Sequence, residues 1–170
     1  RNVRLFQQAQ SNFQRGDDAS LDLAEAQLLQ LIRNDDDNET AYLMLASIAG
    51  QRKVYPEQVY YSYMAHKLNP LSAENKAKYI NSLLFARDFE RLENFLSHQS
   101  NLSDDLKQVQ LYAAGRNGNI KKYKTQLKHS ETDKNIGALA FLLFAQDDLS
   151  IQKKLSVIEK AMERDNFMTP

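Results

Sequence analysis

The chain has 170 residues with 22 basic and 22 acidic side chains, so its net charge of zero gives no general pull toward nucleic acid or anionic lipid. It has no cysteine, which excludes disulfides, thiolate metal sites and a cysteine nucleophile. Only 5 Gly and 3 Pro punctuate it and Val and Ile are few, a balance that favours long helices over sheet.

Val3, Phe6, Ala9, Gln10 and Phe13 recur at helical spacing, and Gly16-Asp17-Asp18 stops this first helix. Ser20 or Asp22 is expected to cap a second, carrying Leu21, Ala24, Leu28, Leu31 and Ile32 inward. A polar loop over 34–38 follows. The third helix reads 39–49 with Gly50 as its terminator. Pro56 suits the first turn of a fourth, which passes through Tyr60, Tyr61, Met64, Ala65 and Leu68 and ends at Asn69-Pro70.

The fifth helix reads 72–86, with Ala73, Ala77, Ile80, Leu83 and Leu84 inward. Asp88 caps a sixth carrying Phe89, Leu92, Phe95 and Leu96, and Ser103 a seventh with Leu106, Val109, Tyr112 and Ala113. Gly115 and the Asn117-Gly118-Asn119 turn close the seventh; lysine-rich flanks disfavour a β-hairpin at that Asn-Gly step. Ile120, Tyr123 and Leu127 mark a short eighth helix. A ninth opens at Thr132 or Asp133 and runs through Ile136, Leu139, Phe141, Leu142 and Phe144; a tenth carries Ile151, Leu155, Ile158, Ala161 and Met162. Short turns between about ten such helices predict an all-α chain of antiparallel hairpins.

The segment 39–72 carries a further pattern. Tyr42, Leu45 and Ala46 give a large, a leucine and a small position on its first helix; Ala65 gives a small position late in its second, and Pro70 follows. This layout resembles the tetratricopeptide repeat, whose period is about 34 residues. Gln58 and Ser62 depart from it, standing where the family has an alanine and an aromatic. Leu5, Ala9, Gly16-Asp17, Ala24, Leu28 and Leu31 fit a first unit. Ala138, Phe141, Ala145, Ile158 and Ala161 fit a last one, with Asn166 in place of proline. Arg87-Asp88-Phe89 is similar to the family's Gly-Asp-Tyr turn, although Ile80, Leu92 and Gln99 stand where that unit's small residues belong.

The resemblance implies a single domain, an α-solenoid of about five hairpins coiled as a right-handed superhelix. Its approximate units are 1–38, 39–72, 73–103, 104–131 and 132–170. It further implies a concave groove lined by the first helix of each pair. The groove would present Gln7, Gln10, Phe13, Met44, Ser47, Gln51, Lys78, Asn81 and Phe85. Amides that pair with backbone, a shape-adaptable Met and single basic groups suit a peptide or a helix of another protein. A chaperone-tail clamp is not expected. Its carboxylate-gripping positions hold Phe6, Gln10, Met44, Glu74 and Lys78, and Glu74 would repel the ligand.

No other pattern outweighs this reading. Asn34 to Glu39 looks calcium-like, but the glycine and glutamate of an EF-hand loop would fall on Glu39 and Leu45. Lys121, Lys122, Tyr123, Lys124 and Lys128 make a basic patch, read as a charged helix face and, as an alternative, as a nucleic-acid contact. His66, His98 and His129 have no second histidine within helical reach and are read as structural. Among the tyrosines of 55–63, Tyr60, with Met64, is expected in the core and Tyr63 on the surface as a contact anchor. No phosphate loop, serine elbow or spaced catalytic carboxylate pair is present, and no cofactor is expected. The longest apolar run, 138–145, falls far short of the ~20 residues of a membrane span. The chain begins at Arg1 rather than Met and is expected to be a piece of a longer protein, with cytoplasm and periplasm both open. A non-catalytic protein-binding module of a larger assembly or export complex is therefore expected, with a self-associating scaffold as the alternative.

Overall fold

The computed structural model describes residues 2–119. They form seven helices and, among the described residues, no strand: α1 (Asn2–Arg15), α2 (Asp18–Asn34), α3 (Glu39–Gln51), α4 (Tyr55–Leu68), α5 (Ala73–Phe85), α6 (Phe89–Ser97) and α7 (Asp104–Arg116). The eighth to tenth predicted helices, the cluster from Lys121 to Lys128, His129 and the unit 132–170 lie outside the described residues. The chain divides into two units, Arg1–Arg87 and Asp88–Pro170.

Polar side chains set the helix starts. Asp17 caps α2 by accepting from the Ser20 backbone N–H, in place of the expected Ser20 or Asp22. Ser20 instead donates its own hydroxyl to Asp17 Oδ2 at 2.7 Å, and these bonds hold the Asp17 carboxyl below its ordinary range. Asn38 caps α3, Ser72 caps α5, Asp88 caps α6 and Ser103 caps α7. Pro56 sits in the first turn of α4, where no N–H is missed.

In the first unit each consecutive pair of helices is antiparallel. Asn2 bonds Asn34 and Asn12 bonds Gln27, so α1 and α2 run in opposite directions. Arg52, just past α3, reaches Asp22 and Glu25 near the start of α2. Glu39 at the start of α3 accepts from Asn69 just past α4. Tyr55 stacks on Phe85 while Ser62 meets Ser82, which sets α4 against α5. Alternate helices α1, α3 and α5 therefore run the same way. Ala9, Leu21, Ala24, Leu28, Leu31, Ala41, Met44, Leu45 and Ile48 form the buried core of α1 to α3, with Phe6, Phe13, Ile32 and Tyr61 packed on it. Val3, expected on the inward stripe, is 72% exposed one residue into α1.

The two departures from the repeat pattern in α4 have steric partners. Gly50 does not terminate α3, which continues to Gln51. A Cβ at Gly50 would stand 2.8 Å from Gln58 Nε2. A long Gln thus occupies a position where alanine is expected because the facing helix is bare backbone there. Ser62 replaces an expected aromatic because α4 and α5 cross there. Its hydroxyl lies 2.7 Å from that of Ser82, and both are buried. Each also lies within reach of a carbonyl one turn back, Val59 and Tyr79; one hydroxyl donates to the other, which donates to its own carbonyl, so neither hydroxyl is left unsatisfied.

The end of α3 carries a local cost. Lys53 follows the C-cap at φ 59°, the left-handed region that favours glycine. Its nitrogen bonds the Gly50 carbonyl, so the helix exit depends on that conformation. Lys53→Gly is expected to raise stability by about 0.5–1 kcal/mol, read as a higher urea midpoint with an unchanged slope. A lower midpoint would mean that the freedom glycine adds to the unfolded chain outweighs the relieved strain.

In the second unit α6 and α7 pair around Leu92, Leu96, Leu111, Ala113 and Ala114, all buried. Phe89 meets Tyr112 edge-on at 5.5 Å, and the Arg116 guanidinium lies over the Phe89 ring at 5.4 Å. Leu92, standing at an expected small position, is fully buried in this hairpin.

Candidate partner-binding face

The groove residues expected from the sequence fall on α1, α3 and α5, all within the first unit. Gln7 and Gln10 are exposed one turn apart on α1, and Phe13 is half-buried against the core. On α3, Ser47 is half-buried with its hydroxyl turned back to the Leu43 carbonyl at 3.0 Å, and Gln51 is exposed. On α5, Asn81 is exposed and Lys78 is half-buried, its ammonium 3.1 Å from Glu74. Phe85 is 61% exposed and stacks on Tyr55, with ring centroids 6.3 Å apart and planes at 10°.

Met44 differs. It is only 9% exposed and belongs to the core, so it offers little to a ligand. The cause is the all-round apolar surface of α3, where Ala41, Tyr42, Leu45, Ala46, Ile48 and Ala49 are buried as well. A helix wedged between α2 and α4 buries nearly all its girth. That leaves Glu39, Leu43, Ser47 and Gly50 half-buried and Thr40 and Gln51 exposed.

The tyrosines of α4 sort by helical phase. Val59, Ser62 and Ala65 are its buried positions. Tyr60 is therefore turned outward and is 53% exposed, against the expectation of a core residue, while Met64 is half-buried. Tyr61 packs between Tyr42 and Tyr60 at 6.4 and 5.4 Å, and burial, before the nearby Glu57, raises its phenol above the ordinary range. Tyr63 is 44% exposed, as expected, and its ring leans on buried Tyr79 at 5.5 Å. Sequence reasoning did not pair Tyr55 with Phe85 or Tyr63 with Tyr79. The density of tyrosines was visible, but the antiparallel register that sets α4 on α5 was not.

His66 is half-buried on the same seam, its ring stacked on Tyr79 at 6.1 Å. Burial, then the charge of Lys76, holds its pKa below the ordinary 6.5. The fold thus prefers the neutral ring, and the unfolded chain binds the extra proton. Stability is fully present above the unfolded pKa of about 6.5 and is lost as pH falls through the folded value. The urea midpoint of wild type is expected to fall more than that of His66→Gln between about pH 7.5 and pH 5.5. Parallel falls would show that carboxylates alone carry the pH dependence.

Among the described residues no group of three or more His, Asp or Glu side chains is placed to hold a metal ion. None of their helices is long and apolar enough to cross a membrane. What α1, α3 and α5 offer is surface: amides of Gln7, Gln10, Gln51 and Asn81, a tethered ammonium at Lys78, and the Phe85–Tyr55 stack. Comparison with protein-family models, curated proteins and solved structures finds no match to any of them.

Proposed function

We propose that this chain is a degenerate tetratricopeptide-like helical repeat, coiled as an α-solenoid, that works as a non-catalytic protein-binding module. It would take a peptide or a helix of another protein along α1, α3 and α5, within a larger assembly or export complex. One observation carries the reading. The exposed amides and the Phe85–Tyr55 stack lie on, or lean on, three parallel helices of one unit, each of which buries other residues of its own. Backbone-pairing amides beside an exposed aromatic provide register and anchorage for an extended segment. The repeat reading is supported by the packing, which is more extensive within α1–α2 and α3–α4 than between α2 and α3 or between α4 and α5.

The test compares wild type with Asn81→Glu plus Phe85→Glu as baits in extract of the native cell. Both sites are exposed, so the variant is expected to keep its helical spectrum, whereas Met44→Glu would put a charge into the core. A partner held by wild type and lost by the folded variant supports the proposal. A partner held equally by both removes it from this face. Self-association is a second reading, favoured by Leu71, 95% exposed, and Leu23, 56% exposed. Light scattering that shows mass rising with concentration, and a double variant Leu23→Lys with Leu71→Lys that stays monomeric, would favour it. Nucleic-acid binding rests on Lys121 to Lys128, outside the described residues. Salt-sensitive RNA binding lost in Lys121→Glu plus Lys124→Glu would revive it.

A further inference from the structure

Asn117-Gly118 is the chain's one Asn-Gly step. A backbone nitrogen that follows Asn can attack the Asn side-chain carbonyl carbon, and glycine hinders the approach least because it has no side chain. Asparagine is thermolabile for this reason among others. In this fold both reacting groups are occupied. Asn117 is the C-cap of α7 at φ −86° and ψ −4°. Its Nδ2 donates to the Phe89 carbonyl at 2.9 Å and to Glu93 Oε2 at 2.8 Å. The Gly118 nitrogen donates to the Gly115 carbonyl at 3.1 Å, with Gly118 at φ +74°. Glu93 is 7% exposed and accepts a further bond from Asn119 Nδ2 at 2.9 Å.

We infer that Asn117 is a fold-guarded deamidation site whose spontaneous conversion unlatches α7 from α6. The reaction needs only water. The Gly118 nitrogen gives up its proton and bonds to Asn117 Cγ; the Cγ–Nδ2 bond breaks and ammonia leaves with that proton. The resulting five-membered imide is opened by water at one of its two carbonyls, which gives aspartate or isoaspartate at position 117. Nothing is oxidised or reduced.

The guard follows from the geometry. Attack requires the Gly118 nitrogen to leave Gly115 and the Asn117 side chain to leave Phe89 and Glu93. The reaction therefore runs only in molecules whose α7 terminus has opened. The consequence follows as well. Nδ2 is the donor of both latch bonds, and deamidation replaces it with an oxygen that cannot donate once ionised. Two acceptors would then face a third, one of them the buried carboxylate of Glu93. Isoaspartate also lengthens the backbone by one carbon just before Gly118, two residues ahead of Asn119, whose N–H closes α7 on the Ala114 carbonyl at 2.8 Å. Opening thus licenses a modification that opposes reclosing, so the α6–α7 pair records episodes of unfolding.

The test incubates the full chain at neutral pH, folded and in urea, and follows the 117–118 peptide by mass spectrometry. Deamidation is expected to be about tenfold or more slower in the folded chain. N117D, made genetically, is expected to lower the urea midpoint. E93Q, which supplies a donor opposite the new carboxylate, is expected to recover at least half of that loss when E93Q/N117D is compared with E93Q alone. Equal rates in the two states, or an N117D midpoint equal to wild type, would overturn the inference. If N117D does not fold, a cooperative transition regained in E93Q/N117D supports the assigned latch, and its absence overturns it.

Discussion

Asn75→Leu is expected to destabilise the chain by about 2–3 kcal/mol, although the two side chains are close in volume. Asn75 is 1% exposed, and its Nδ2 makes the bonds that join three helices. It donates to Glu39 Oε1 at 2.8 Å, at the start of α3, and to the Ala65 carbonyl at 3.1 Å, in the last turn of α4. Asn69 Nδ2 holds the other oxygen of Glu39 at 3.3 Å. Leucine would leave Glu39 short of its nearer donor in a half-buried setting, where hydration only partly replaces it. The Ala65 carbonyl would lose less, because it also accepts from the Asn69 backbone N–H. Most of the penalty should therefore belong to the carboxylate. Glu39→Ala is then expected to cost clearly less in the Asn75→Leu background than in wild type. Urea unfolding of the four proteins measures this coupling, and strict additivity would show that the bond to Glu39 carries none of the effect.

The same residue shows where the sequence was readable and where it was not. Helix existence and the caps of α6 and α7 were legible because they rest on local chemistry: Asp88 and Ser103 each bond an N–H three residues on. The face of α5 was not. Apolar periodicity placed Ala73 and Ala77 inward, yet both are exposed, while Asn75, Tyr79, Ile80, Ser82 and Leu83 are buried. Two of those buried positions are polar, and their partners, Glu39 and Ser62, lie on other helices. Polar burial is specified by tertiary pairing, so a one-dimensional apolar pattern cannot show it. The candidate face was legible in the same measure. Gln7, Gln10, Gln51 and Asn81 are exposed, as their polar side chains suggest, and Phe85 is exposed although its ring stacks on Tyr55. Met44 is buried because α3 has neighbours on both flanks, and that fact is not local to α3.

Ala65→Leu is expected to cost about 1–3 kcal/mol by overpacking, the opposite sign from what added apolar volume gives at a cavity. Ala65 is fully buried, one turn beyond Ser62, on the side of α4 that meets α5. The neighbourhood is closed on several sides. Ser62 and Ser82 bring the two helices together at 2.7 Å between hydroxyls, and Asn75 Nδ2 is tied to the Ala65 carbonyl itself. Three extra carbons in so closed a site are expected to press on the facing helix and this amide, with relief coming from separation of α4 and α5. Separation would lengthen the Asn75–Ala65 and Ser62–Ser82 bonds and unstack Phe85 from Tyr55 at the far end of the pair. The overpacking penalty and the network penalty should therefore overlap. Ala65→Leu combined with Asn75→Leu is expected to cost less than the two single losses together. Ala65→Gly, which removes volume without strain, should cost only about 1 kcal/mol through helix propensity and a small void. An unchanged melting curve for Ala65→Leu would mean that α4 and α5 yield at this crossing. The same result would remove the small-residue positions of the repeat as an account of the 39–72 segment. A loss within the expected range, with a tyrosine fluorescence change on the α4–α5 seam, would tie the small-residue spacing read in the sequence to the helix approach that keeps Phe85 and Tyr55 stacked at the candidate binding face.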